Sequence, residues 1–275
     1  IIALSFSQTT KREAGFLSHA LETSREKSLA EGAIRLAVLK MLEPDPTKRW
    51  LADGTPYTWT LPESETKIQI YDEAGKININ AAQEPALRAL LSGVIEDNEL
   101  VSQLVDCIED WRDPDSNRRT QGAEEQDYES DLRPKAQNRS FYDLEELKTV
   151  KGLTPEVFDQ ISPFITTYIG QGGINYSRAS NAILGVIAGG DPAKLNNLLS
   201  AKKDGANVGF TGTPEIPAQM DSELFYTIVA STHLNGSAGV SQVEATLKML
   251  PQRRPEPFIF VHFRSRVASF DKSFR

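Results

Sequence analysis

The 275-residue chain holds one cysteine and three histidines, and no apolar run approaches the ~20 residues that a bilayer-spanning helix needs. A single cysteine excludes an internal disulfide framework and a multi-cysteine zinc site. Cys107 lies in the helical, apolar context LVDCIEDW and reads as core filler. His19, His233 and His262 fall on three separate segments. The HExxH spacing, a GxSxG elbow and a phosphate-cradling glycine loop are all missing, so the chain reads as a non-enzyme with no catalytic residues. Net charge is -8 with a pI near 5.1, and no basic block is long enough to track a phosphate backbone. Nucleic acid is therefore a poor default partner. The 39% hydrophobic and 25% charged content are ordinary globular figures, enough for one large or two modest cores.

What is present begins with a long helix. From Phe6 to Leu42, the pairs Phe16/Ala20 and Leu17/Leu21 and the series Leu29/Ala33/Ala37/Met41 and Ala30/Ile34/Val38/Leu42 form i, i+4 stripes, and Pro44 and Pro46 stop the pattern. At 1.5 Å per residue such a helix is roughly 55 Å long, more than a small domain covers along its whole length. The opening IIALSFSQTT reads as the lower part of an apolar segment that continues upstream. Two short alternating runs, Tyr57 to Leu61 and Lys67 to Asp72, then predict antiparallel strands.

From Ala81 to Leu199 the pattern becomes one of short amphipathic helices, and period-2 alternation returns in ELFYTIVASTHL, SQVEATLKML and FIFVHFRSRV. The expected architecture is α+β. Residues 1–75 and 209–275 form a discontinuous α/β domain with the long helix packed on an antiparallel sheet, interrupted by an all-helical domain at 76–208. GKININAAQEPALRALLSGV and GGINYSRASNAILGVIAGG form a weak internal repeat at the borders of that insert. Asn80, Ser177 and Ser180 are candidate caps for the helices that follow.

The stretch DWRDPDSNRRTQGAEEQDYESD, residues 110–131, is dense in carboxylates. Counting Asp113 as position one places Asp115 third, Asn117 fifth, Arg119 seventh and Glu124 twelfth, the ligand spacing of a calcium loop. Arg118, however, stands where an EF-hand requires glycine, so a true EF-hand is excluded in favour of a looser cation site drawn from Asp113, Asp115, Asn117, Glu124, Glu125 and Asp127. The competing reading is a solvated loop neutralised by Arg112, Arg118, Arg119 and Arg133. Separately, LKTVKGLTPEVFDQI resembles a helix-hairpin-helix, the element through which some proteins offer amides and Lys148- or Lys151-type cations to nucleic acid; here an architectural hairpin is favoured.

DEAGKININAA, the acidic DWRDPD followed by GAEEQDY, NRSFYDLEELKTVKGLTPEVFDQISPFIT and the second INYSRAS, in this order and behind a long amino-terminal helix, resemble general secretion pathway protein K. This is the minor pseudopilin K family of the bacterial type II secretion system. The resemblance implies a type IV pilin-like domain with a large helical insertion, and calcium as a structural ion in the insert near the acidic motif. It also implies a periplasmic location with an inner-membrane anchor, and a place at the pseudopilus tip beside minor pseudopilins I and J, near the major pseudopilin and inner-membrane secretion components. Phe16, Leu17, Ala20 and Leu21 are then expected to face those partners. The family's prepilin peptidase motif and early glutamate do not occur in this sequence.

Overall fold

The computed structural model describes residues 2–128, 136–170, 172–203, 213, 216, 224–237, 239–250 and 256–269, with the side chains of 2–16 and 267–269 outside that description. In chain order the elements are α1 (Ile2–Met41), β1 (Tyr57–Leu61), β2 (Ser64–Asp72), β3 (Ile77–Asn78), α2 (Glu84–Ser92), α3 (Asn98–Arg112), α4 (Pro155–Ile161), β4 (Ile165–Thr166), α5 (Asn181–Ala188), α6 (Pro192–Lys203), β5 (Phe225–Leu234), β6 (Gly239–Met249) and β7 (Phe258–Ser269). The fold is α+β, and the chain divides into two compact units, 1–71 with 226–275, and 72–225. The sequence drew these borders at 75/76 and 208/209. The difference arises because Asp72, Glu73 and Ala74 are buried and bonded within the second unit, and because the stretch before β5 contains no periodic signal by which to assign it.

In the first unit, the sheet order is β1-β2-β5-β6-β7, with β1–β2 and β6–β7 antiparallel. Helix α1 lies on it through Ala30, Ala33, Ile34, Ala37 and Val38, spaced i, i+3, i+4, i+7, i+8, all buried against Ile68, Ile70, Ile228, Ala230, Val243, Ala245 and Leu247. Three alanines at the contact let the helix backbone approach the sheet closely. Strand β2 alternates as a half-buried strand must: Ser64, Thr66, Ile68 and Ile70 face inward. Inward hydroxyls are paired across strands, Thr66 with Thr232 and Thr227 with Thr246, each at 2.8 Å. Glu26, buried on α1, accepts bonds from Ser237 Oγ (2.6 Å), Ser241 Oγ (3.1 Å) and the Leu234 amide (3.3 Å). Its desolvation is offset by these three donors, which fix the helix against the β5–β6 hairpin.

In the second unit, short helices surround Trp111, Tyr128 and Phe141. Trp111 meets Tyr128 edge-on at 5.7 Å and stacks on Phe141 at 6.0 Å. Between residues 73 and 203 the described residues are helical or loop apart from one pair of two-residue strands, β3 and β4, which run parallel. DLEELKTV, expected as a helix, is a 3₁₀ segment over Leu144–Thr149, opened by a capping box between Asp143 and Glu146. Ser180 caps α5 by accepting from the Ile183 amide. Asn80 does not cap: its side-chain amide pairs with the backbone of Phe141, accepting from the N–H (2.7 Å) and donating to the carbonyl (2.9 Å), and α2 begins at Glu84, after Gln83 and with Pro85 in its first turn, without a side-chain cap. The Ser177 hydroxyl donates to Asn175 Oδ1 instead.

Candidate functional site: the acidic loop and the first helix

Helix α3 is amphipathic, burying Val101, Leu104, Val105, Ile108 and Trp111, and its amino terminus is held by Asp97, which accepts from the amides of Glu99 and Leu100. The same helix carries Asp106 and Asp110 one turn apart, and these carboxylates grip the returning loop. Asp106 accepts from the Gln121 amide (2.9 Å), and Asp110, fully buried, accepts from the Arg119 amide (3.1 Å). Gly122 is required at the crossing, since a Cβ there would lie 1.9 Å from Asp110 Oδ2. Below this grip, Asp115 accepts from the Asn117 amide at 2.8 Å, a tight local turn.

The result is a converging trio. Carboxylate oxygens of Asp113, Asp115 and Glu124 all lie within 4.8 Å of one another. Glu124 is only 4% exposed, yet neither of its carboxylate oxygens has a hydrogen-bond partner, and the same holds for Asp113 Oδ1. Burial, reinforced by Asp110, Asp113, Asp115 and Asp127, pushes the Glu124 carboxyl up to about 7. Burial, with Asp115 adding repulsion, raises Asp113 as well. A buried acceptor left unsatisfied costs roughly 1–3 kcal/mol, and a charged one more, so this geometry calls for a counter-charge inside the trio. The donor set is all oxygen, suited to a hard cation and not to zinc or copper. The residues present therefore fit a bound divalent ion.

The other expected ligands are used differently. Asp127 pairs with Arg118 (3.1 Å) and accepts from the Glu124 amide (3.0 Å), which holds its carboxyl below the ordinary range and makes it a support for Glu124. Asn117 enters through its backbone amide, and Glu125 is exposed outside the trio. The arginines make their bonds outside the trio, and Arg119 offsets the Asp113 charge only in part. Arg112 bonds Glu109 and the carbonyls of Ile79 and Ala82, while Arg119 bonds Glu109 and Asp110; Arg133 lies outside the described residues. A residue the sequence did not single out joins the loop from elsewhere. Asn138, in the left-handed backbone region at φ 47°, donates through Nδ2 to the Asp115 carbonyl and to Ser116 Oγ, and its own Oδ1 is buried without a partner. A lone asparagine beyond the acidic run offered no spacing by which to find it.

On α1, Leu17 and Leu21 are 62% and 71% exposed, and Ala20 is exposed beside them. The Phe16 side chain lies outside the described residues. Leu39, also exposed, sits five helical turns from Leu21 and so on the same azimuth. Among the described residues, no helix is long and apolar enough to cross a membrane.

In the helix-hairpin-helix segment, the Lys151 amide donates to Tyr128 Oη (3.1 Å) and Gly152 takes the left-handed turn at φ 85°. Lys148 pairs with Glu145 at 2.5 Å and lies over the Phe158 ring at 4.4 Å. Both groups that a phosphate would need are engaged internally, in keeping with an architectural hairpin.

Residues 67–170 match the family described as type II secretion system (T2SS), protein K. A curated relative from Escherichia coli (strain K12), the putative type II secretion system protein K, is 25% identical over 137 residues. That match spans 48% of this chain and 42% of the relative, less than half of its length. Among solved structures, the crystal structure of the GspK-GspI-GspJ complex from enterotoxigenic Escherichia coli contains a chain similar to this one. The TM-score is 0.53 and the identity 17%, over 94% of this chain and 99% of that chain. At that identity the likeness speaks for the fold, which is pilin-like with a helical insertion.

Proposed function

From a chain that carries the type II secretion system protein K domain over residues 67–170, we propose a noncatalytic minor pseudopilin at the tip of the secretion pseudopilus. In this reading it assembles with minor pseudopilins I and J to support protein export across the outer membrane. It resides in the periplasm, anchored in the bacterial inner membrane. The observation that carries the assembly role is the α1 stripe: apolar side chains at Leu17, Leu21 and Leu39 on the exposed side of a 40-residue helix that a single sheet cannot cover. Such a stripe packs into a bundle with partner helices, and the helical insert adds bulk that stops further subunits from stacking above. Replacing Leu17 and Leu21 with glutamate should leave melting unchanged and weaken co-purification with subunits I and J. Undiminished capture of both partners would reject the role.

The reading includes calcium as a structural ion held by Asp113, Asp115 and Glu124. It is supported by three buried carboxylate oxygens without partners in one all-oxygen cluster. The ion neutralises Glu124 and pins the α3 loop. Magnesium should substitute poorly, since its small octahedral shell is not matched by three carboxylates on a long loop. Melting in chelator, with and without added calcium, tests it directly: indifference to both would return the segment to an acidic loop without an ion.

A further inference from the structure

Strand β7 closes the five-stranded sheet, pairing with β6 along one side and with no strand along the other among the described residues. Twelve residues is long for an open edge, which natural sheets commonly shorten or interrupt with charge and proline. Its register contains a bulge: Thr246 faces His262 and Leu247 faces Phe260, leaving Val261 as the extra residue. That extra residue brings Phe263 onto the side occupied by Phe258 and Phe260, and the three rings form an edge-to-face ladder at 5.4 and 6.5 Å. On β6, their neighbours Leu247 and Ala245 are fully buried, yet Phe260 and Phe263 are 41% and 48% exposed. The core thus reaches β7 only at half-buried Phe258, and the ladder continues past it through the exposed Phe260 and Phe263.

The charge of this strand is opposite to that of the chain: β7 holds Arg264 and Arg266 and no acid, in a protein of net charge -8. Arg264 meets Glu244 and Arg266 meets Gln242 on the sheet face opposite the rings. The edge therefore offers three matched features: a row of backbone groups, an apolar ladder on one face and, on the other, two arginines, of which Arg264 is held by Glu244 and Arg266 is bonded to Gln242 and carries the net charge.

We propose that β7 is a strand-addition site. Its occupant is an extended segment of a partner protein with alternating apolar and acidic residues, apolar side chains over Phe260 and Phe263 and carboxylates along the Arg264–Arg266 face. Main-chain bonds supply the docking and the two faces supply selection. This surface is distinct from the α1 stripe and does not depend on the pseudopilin reading.

The test uses the full chain and a fluorescein-labelled decapeptide of alternating valine and glutamate. The glutamate peptide should bind, protect the amides of β7 from hydrogen exchange, and lose affinity as salt rises. An alternating valine and lysine peptide should bind at least ten-fold more weakly. Phe260→Lys with Phe263→Lys should abolish binding. Arg266→Glu, which keeps both rings and so guards against loss of fold, should reverse the peptide preference. Failure to bind, protection of β1 in place of β7, or equal affinity for the two peptides would overturn the proposal. So would a dimer of the protein that the double Phe variant abolishes, which would make the occupant a second copy.

Discussion

Glu124 concentrates the chemistry of the acidic loop in one side chain. Its carboxyl is raised from 4.5 to about 7, so between those values the folded state binds more protons than the unfolded chain. Without a cation, stability must therefore fall as pH rises from about 4.5 to 7, and stay level above, by on the order of 3 kcal/mol. Asp72, raised to about 6 by burial despite its 2.9 Å bond to Arg178, contributes in the same direction at the lower end. Glu124→Gln separates the two: in chelator at pH 8 it should melt above the parent, and calcium should no longer raise its melting temperature. Thermal melts from pH 4 to 8 would decide, and an unchanged slope in the variant would remove Glu124 from the account. Gly122→Ala gives a second check, because its Cβ would strike Asp110; a loss of about 1–3 kcal/mol, seen as a lower melting temperature, is expected. Spacing alone picked out Asp113, Asp115 and Glu124. It could not show that Asp127 supports Glu124's amide or that Asn138 reaches the loop, because both depend on which hydrogen bonds the backbone leaves open.

At the scale of elements, α1 was the most legible, since its i, i+4 stripes are long and its proline stop is sharp. The reason it packs closely was also in the sequence, as the alanines at 30, 33 and 37. Ala33→Leu would add bulk where no space exists and should destabilise the first unit by about 1–3 kcal/mol, measured by denaturant unfolding; an unaltered midpoint would mean the helix moves freely on the sheet. The sheet strands were likewise readable from alternation, although β2 begins at Ser64, three residues before the apparent run, because Ser64 and Thr66 are polar residues on the buried face, Thr66 being paired across the sheet with Thr232. Less was legible where tertiary contacts override local preference. The 3₁₀ segment Leu144–Thr149 lies between its capping box and the left-handed Gly152 turn, and its residues carry the same types that would suit an α-helix. The parallel β3–β4 pair is too short to have any period, and the contact between the two repeat segments, where Gly75 admits the backbone of Ala179, depends on tertiary packing that no local pattern records.

Over the whole molecule, the two units contain different reporters, and this makes their coupling measurable. The chain has three tryptophans: Trp50 and Trp59 belong to the first unit and pack beside its core, whereas Trp111 lies in the second, at the end of the helix that delivers the acidic loop. All three proposed ligands are in the second unit, so calcium should stabilise that unit first. In a Trp50→Phe, Trp59→Phe variant, Trp111 fluorescence should report a transition that calcium raises, by about 2.7 kcal/mol at a free concentration 100 times the dissociation constant. In a Trp111→Phe variant the remaining tryptophans should report a transition that the same calcium leaves in place. The border between the units is crossed by the chain only near residues 71/72 and 225/226, which favours separate melting over a single cooperative event. If both signals instead rise together on adding calcium, the ion's free energy is shared by the entire chain, and the insert and the pilin-like unit fold as one.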